Sequence, residues 1–158
     1  LTIFKRELNA VRIIVIHCSD SERPEHDNIS VINNWHIKRG FAKVGYHFYI
    51  QKSGKIQVGR GLYEVGAHAA GFNSESVGIC LGGKLVFSEA QIIAAARLIS
   101  NLARALPNLR SEYWLIPHRF LDRSKTCPNF NLSRIDQYLD TDLDNKIDCN
   151  GKNFEYKI

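Results

Sequence analysis

The chain has 158 residues, of which 44% are hydrophobic and 23% charged, and it carries a net charge of +5. A chain of this length buries about 70% of its unfolded surface in one domain without help from disulfides, so the widely spaced Cys18, Cys80, Cys127 and Cys149 read as free or metal-bound thiols. No apolar run approaches the roughly 18 residues of a membrane span, and the scattered basic residues carry no nucleic-acid-binding signature; the charge suits a solvated surface or a polyanionic polymer such as a bacterial wall.

In chain order, Lys5, Arg6 and Glu7 precede a short apolar run that stops at His17, which does not make a signal peptide. That run, Val11 to Ile16 (VRIIVI), predicts a central strand covered on both faces, with His17 at its carboxyl end. Asn28 or Ser30 caps a helix through Lys38, with Ile32, Trp35, His36 and Arg39 on one stripe and Gly40 closing it. Trp35 and His36 are expected in the core. Tyr46 to Gln51 and Lys55 to Val58 flank Ser53-Gly54, a hairpin signal, and His47 alternates away from Tyr46 into a structural position. GAHAAGFN, residues 66 to 73, is too rich in glycine and alanine for a packed strand; it reads as a groove-lining loop that presents His68 and Asn73 to a substrate.

Val77 to Leu81 is a second buried strand before a Gly82-Gly83 turn, and Cys18 and Cys80 are expected as packed thiols. Ser88 with Gln91 forms a capping box that opens a helix to about Leu106, with Ile92, Ala95, Ile99, Leu102 and Leu106 inward. Tyr113 to Ile116 is a strand ended by Pro117, and Asn131 or Ser133 starts a last helix to about Leu139. From 140 onward the chain resembles an EF-hand calcium loop, with Asp140, Asp142, Asp144 and Asp148 in ligand register, but Asn145 replaces the usual glycine and Gly151 the closing glutamate. Residues 140–158 are therefore read as a solvated acidic tail and not a separate domain. The whole is a mixed α/β domain over residues 1–139, a central mixed sheet flanked by helices.

The stretch HRFLDRSKTCPNF, residues 118 to 130, leaves open whether Cys127 is half a disulfide, a buried hydrophobe, a nucleophile or a metal ligand. His17 and His118 each follow an apolar strand, and ligands collect at the carboxyl ends of strands in open α/β sheets. If the loop after His118 folds back, two imidazoles and a thiolate meet. That gives zinc three protein ligands and an open fourth position, the pattern of a catalytic site. Structural histidines and a buried thiol account for the same residues.

The chain resembles the zinc-dependent N-acetylmuramoyl-L-alanine amidases of the small phage lysozyme type, a family that shares its fold with peptidoglycan recognition proteins. The likeness covers about residues 11 to 139 and is carried by VIHCS at 15, WHIKRGF at 35, VGYHFYI at 44, GKIQVGR at 54, VGAHAAGFNSESVGICLGG at 65 and HRFLDRSKTCPNF at 118. It implies Zn2+ as cofactor, with His17, His118 and Cys127 as ligands and Tyr46 and Lys125 as the residues that assist hydrolysis. It also implies a monomeric, bacteriolytic and hence antimicrobial enzyme acting on peptidoglycan. Such an enzyme accumulates in the cytoplasm and reaches the wall or periplasm by another route, or is secreted if a segment precedes Leu1.

Three alternatives are weighed against this. A peptidoglycan-binding module without catalysis loses metal ligands, above all the cysteine, and all three are here. Metalloprotease and nucleobase deaminase motifs are absent. A cysteine hydrolase built on Cys127 and His118 needs a thiolate free of metal.

Overall fold

In a computed structural model of the chain, which describes residues 2–140 and the backbone of 146–148, the first apolar run forms the middle of a sheet. This strand, β1 (Ile13–Cys18), is buried at every residue. It is followed by α1 (Ile29–Lys38), β2 (Phe48–Ile50), β3 (Ile56–Val58), β4 (Ser76–Leu81), α2 (Glu89–Ala105), β5 (Tyr113–Pro117), the single turns α3 (His118–Leu121) and α4 (Ser133–Asp136), and β6 (Lys146–Asp148). Among the described residues the sheet order is β3-β2-β4-β1-β5-β6. Only the β2–β3 hairpin is antiparallel; β4 and β5 flank β1 in parallel, and β2 runs parallel to β4.

Side chains alternate across a strand, and here the alternation separates core from site. Ile14 and Ile16 face α2, where they pack with Ile92, Ala95, Ile99 and Leu102. Ile13 and Val15 face the other way, against Ala69 and Ile116. His17 continues that second face, which α1 and the 66–73 loop cover in place of a long helix. Along β4 the same face carries Ser76, Gly78 and Cys80, and Cys80 packs with Ile32, Val44 and Tyr49.

Of the three helix starts expected from the sequence, those of α1 and α2 form as capped ends. Asn28 Oδ1 accepts from the Ser30 N–H at 2.9 Å. Ser88 and Gln91 make the reciprocal capping box, and Gln91, wholly buried, also donates to the carbonyls of Ile50 and Gly82. α1 ends before Gly40, whose φ of +92° suits a residue without a side chain.

Besides shifts of a single residue, the elements differ from expectation in four places. β1 starts later and runs through His17 and Cys18, because pairing with β4 continues to Cys18 opposite Leu81. β2 is only Phe48–Ile50, so Tyr46 lies before the strand; His47 still joins the sheet, donating its backbone N–H to the Gly78 carbonyl at 2.9 Å. The last helix is one turn, Ser133–Asp136.

The fourth difference is in the acidic segment, expected to be solvated throughout. Its backbone at 146–148 pairs in parallel with β5, Tyr113 opposite Lys146, since an open sheet edge accepts backbone hydrogen bonds without an apolar pattern. Asp140 is ion-paired with Arg104 at 2.6 Å; the rest of the calcium-like loop lies outside the described residues or is described only in its backbone. Among the described residues no helix is long and apolar enough to cross a membrane.

Candidate active site

The carboxyl ends of β1 and β5 open onto a cleft of about 610 Å³ lined by Cys18, Trp35, Arg39, Tyr46, His68, Asn73, His118, Lys125 and Cys127, among others. His17, only 1% exposed, lies behind this lining, its ring against those of Tyr46, His68 and His118. β5 delivers His118 as the first residue of α3, directly after Pro117, and the two imidazole centroids are 4.4 Å apart. Cys127 reaches the same point because the 122–127 loop is folded back on itself. The Arg119 N–H donates to the Cys127 carbonyl at 2.9 Å, and the Arg119 guanidinium donates to the carbonyls of Pro128 and Phe130. Asp122 Oδ1 accepts from both the N–H and the hydroxyl of Ser124.

The ligating atoms of His17, His118 and Cys127 all lie within 4.8 Å of one another. Three atoms this close can be drawn onto one zinc ion, whose bonds to nitrogen and sulfur are about 2.0–2.3 Å, by small side-chain movements. The electrostatics fit a cation as well. Burial, with His68, His118 and His36 nearby, pushes the His17 pKa well below its ordinary value, and burial also lowers His118, so both rings are neutral and offer lone pairs. The hydrogen bond with the Cys18 sulfur, together with burial, pushes the Cys127 thiol up, so a thiolate there calls for a compensating positive charge. Two neutral imidazoles and such a thiol are a donor set suited to zinc.

The two residues expected to assist chemistry border the cluster. Tyr46 is half-buried with its ring centroid 4.9 Å from that of His17; burial and the nearby thiols raise its pKa well above the ordinary value, so its hydroxyl keeps the proton and can donate it. Lys125 is exposed on the folded-back loop, at the cleft wall beside Asp122, Ser124 and His118.

Other expectations divide. His47 is structural: its Nδ1 accepts from the Gly78 N–H and its Nε2 meets the Glu64 carbonyl and Arg6. His36 is likewise internal, with Nδ1 accepting from the Gly45 N–H at 2.8 Å. Trp35 packs against the core cluster of Ile32, Val44, Tyr49 and Cys80 as expected, but only with part of its surface. It stands half-exposed in the cleft wall, edge-on to His26 at 4.8 Å, because α1 ends over the cleft and turns that part of its stripe outward.

His68 and Asn73 line the cleft, yet Asn73 Oδ1 accepts from the N–H groups of His68 and Ala69, and both His68 ring nitrogens have partners inside the protein. Cys18 and Arg39 are among the cleft residues that the sequence reading missed. Cys18 is buried as expected but also borders the cleft and touches Cys127, a proximity hinted at only by its place next to His17. Arg39 was assigned to a helix stripe; it lines the cleft with its guanidinium 5.3 Å from the Phe41 ring centre.

A mixed sheet gathers imidazoles, a thiol, a phenol and an amine at one cleft, where His17, His118 and Cys127 could hold a metal ion, an arrangement suited to a hydrolase. The chain belongs to the N-acetylmuramoyl-L-alanine amidase family, whose model matches residues 7–130. It is 32% identical over 131 residues to the endolysin of Escherichia phage T7, covering 77% of this chain and 82% of that one. Among solved structures it is similar to the N-acetylmuramoyl-L-alanine amidase LysC from Clostridium intestinale, at 28% identity and a TM-score of 0.68 over 87% of this chain and 89% of that one. A Drosophila PGRP-LB mutant in complex with tracheal cytotoxin matches at 27% identity and a TM-score of 0.70, over 80% and 79% of the two chains. The reaction is hydrolysis of the amide between N-acetylmuramic acid and L-alanine in peptidoglycan.

Proposed function

We propose that this hydrolysis is zinc-dependent, that His17, His118 and Cys127 hold the metal, that Lys125 and Tyr46 assist at the scissile amide, and that the setting is phage-type lysis. The observation that carries the reading is the convergence of the three ligand atoms within 4.8 Å of one another beside the cleft. Bound there, zinc supplies Lewis acidity that polarises an amide carbonyl and lowers the pKa of water towards about 7.

The remaining work falls to the chain. Water attack places negative charge on the former carbonyl oxygen, and the Lys125 ammonium at the cleft wall stabilises charge that exists only in the transition state. Tyr46, held protonated, donates a hydrogen bond toward the same oxygen or the attacking water. The cleft wall from His68 to Asn73 receives the stem peptide through the ring edge of His68 and the side-chain NH2 of Asn73, whose carbonyl oxygen is committed to the loop. The net positive charge favours approach to an anionic wall.

Phage lysis is supported by the likeness to endolysins. The competing reading, a recognition module that binds muropeptide without cutting it, is less well supported because all three ligand types are present and face one another. Digestion of purified wall tests the reading: it should release amino groups of L-alanine without new reducing sugar ends. New reducing ends, or binding without release, would contradict it.

A further inference from the structure

Beside the ligand cluster lies a buried polar chain whose hydrogen bonds the hydrolysis set out above does not use. His17 Nε2 is 2.9 Å from His68 Nδ1, and His68 Nε2 is 3.2 Å from Ser76 Oγ. The two rings meet edge-on at 84°, and His68 is only 9% exposed. With Nε2 of His17 engaged in this way, its Nδ1 is the nitrogen left for a metal. A ligating nitrogen must carry no proton, so the His17 proton sits on Nε2 and is donated to His68 Nδ1. His68 then carries its own proton on Nε2, toward the Ser76 hydroxyl. Both ring N–H donors then meet an acceptor with both rings neutral.

The slot for the His68 ring is built into the backbone. A Cβ on Gly78, in the middle of β4, would stand 2.6 Å from His68 Cγ and 2.7 Å from Cδ2. A Cβ on Gly66 would stand 2.6 Å from His68 Cδ2. Both distances are far inside van der Waals contact, so any side chain at either position would displace the ring. Asn73 Oδ1 meanwhile anchors the His68 and Ala69 N–H groups, each at 2.9 Å. Two glycines and an asparagine thus fix one imidazole against another.

We infer that His68 is a positioning residue: it accepts the Nε2 proton of His17, and so fixes the tautomer and ring orientation that present His17 Nδ1 to the metal. This rests on the zinc reading above. Partners of metal-bound histidines are worth about 10- to 100-fold in metal affinity.

The test measures zinc affinity of the metal-free chain by competition with a chelator of known strength, together with the visible spectrum of the cobalt-loaded chain. His68→Leu should weaken zinc binding about 10- to 100-fold and alter the cobalt bands. His68→Asn, whose Oδ1 falls where Nδ1 stands, should restore most of the affinity. Gly78→Ala, which removes no polar group, should weaken binding by displacing the ring. Zinc bound by His68→Leu as tightly as by the native chain would overturn the inference, as would equal losses in the Leu and Asn variants. If the Leu variant does not fold, His68→Asn must outbind His68→Gln, whose amide falls nearer the Nε2 position; equal affinities or the reverse order would overturn it. A native chain that binds no zinc would overturn the zinc reading itself, an outcome distinct from those above.

Discussion

The backbone N–H of Cys18 donates to the sulfur of Cys127 across 3.1 Å, joining residues 109 positions apart. The end of the central strand and the folded-back loop are thereby tied at the atom assigned to the metal, and a hydrogen bond of this kind favours the thiolate over the thiol.

Cys127→Ser should therefore lose metal before it loses fold. A hydroxyl is a far weaker zinc ligand than a thiolate, while the loop keeps the Arg119 hydrogen bonds that hold it. Metal content and circular dichroism, measured on the same sample, check this. Zinc and turnover retained in the variant would remove Cys127 from the ligand set.

Lys125→Ala should keep fold, zinc and wall binding and slow hydrolysis by about a hundredfold or more, the scale of one lost oxyanion donor. The loss should fall on kcat. If the ammonium only attracts the wall, the variant will instead show weaker, salt-sensitive binding with near-native turnover at saturation. Binding and turnover on a soluble muropeptide at two ionic strengths separate the cases.

Glu22 gives the stability a defined acid limb. Burial opposes its ionisation, but the Lys52 ammonium and the N–H groups of Val86, Lys84 and Leu85 outweigh that and hold its carboxyl at about 2, below the ordinary 4.5. A depressed carboxyl pKa contributes stability that is complete above 4.5 and is lost as pH falls toward 2. Solvent screens this partly exposed group, so Glu22→Gln should lower Tm at pH 7 by about 2–4 °C, on the order of 1 kcal/mol. The gap to the native chain should narrow as pH falls from 4.5 toward 2 and close only below pH 2, where the Glu22 carboxyl becomes neutral as the glutamine already is. A gap independent of pH would show that the charge of Glu22 contributes nothing.

Ser88→Ala removes half of the capping box that opens α2 and should cost about 1 kcal/mol of stability. Ser88 is remote from the cleft lining, so turnover at 25 °C should not change. Thermal melts and wall digestion of the same preparation check both halves.

Features that depend on local pattern were legible in the sequence. The β-branched run of β1, the capping box of α2 and the glycine closing α1 each act over a few residues, and each forms at its place with bounds shifted by a residue or two. The meeting of His17, His118 and Cys127 was legible only as an option, since nothing local to residue 127 states that its loop folds back onto β1. That information lies in Arg119 reaching across to Pro128 and Phe130. The His17–His68 contact was harder still. His68 reads as a loop histidine, and the glycines at 66 and 78 that make room for its ring look like ordinary turn and strand glycines until β4 is laid beside the loop. Trp35 and Arg39 were read as stripe residues because periodicity shows which face a side chain shares, not whether a neighbouring layer covers it.

The central claim is that a metal held by His17, His118 and Cys127 is required for the hydrolysis. The most direct measurement is to strip the chain of metal with a chelator, titrate zinc back and follow both bound zinc and release of L-alanine amino groups from purified wall. Turnover should be absent at the start, rise in proportion to bound zinc and level off at one zinc per chain. A metal-free chain that hydrolyses wall at the full rate would contradict it.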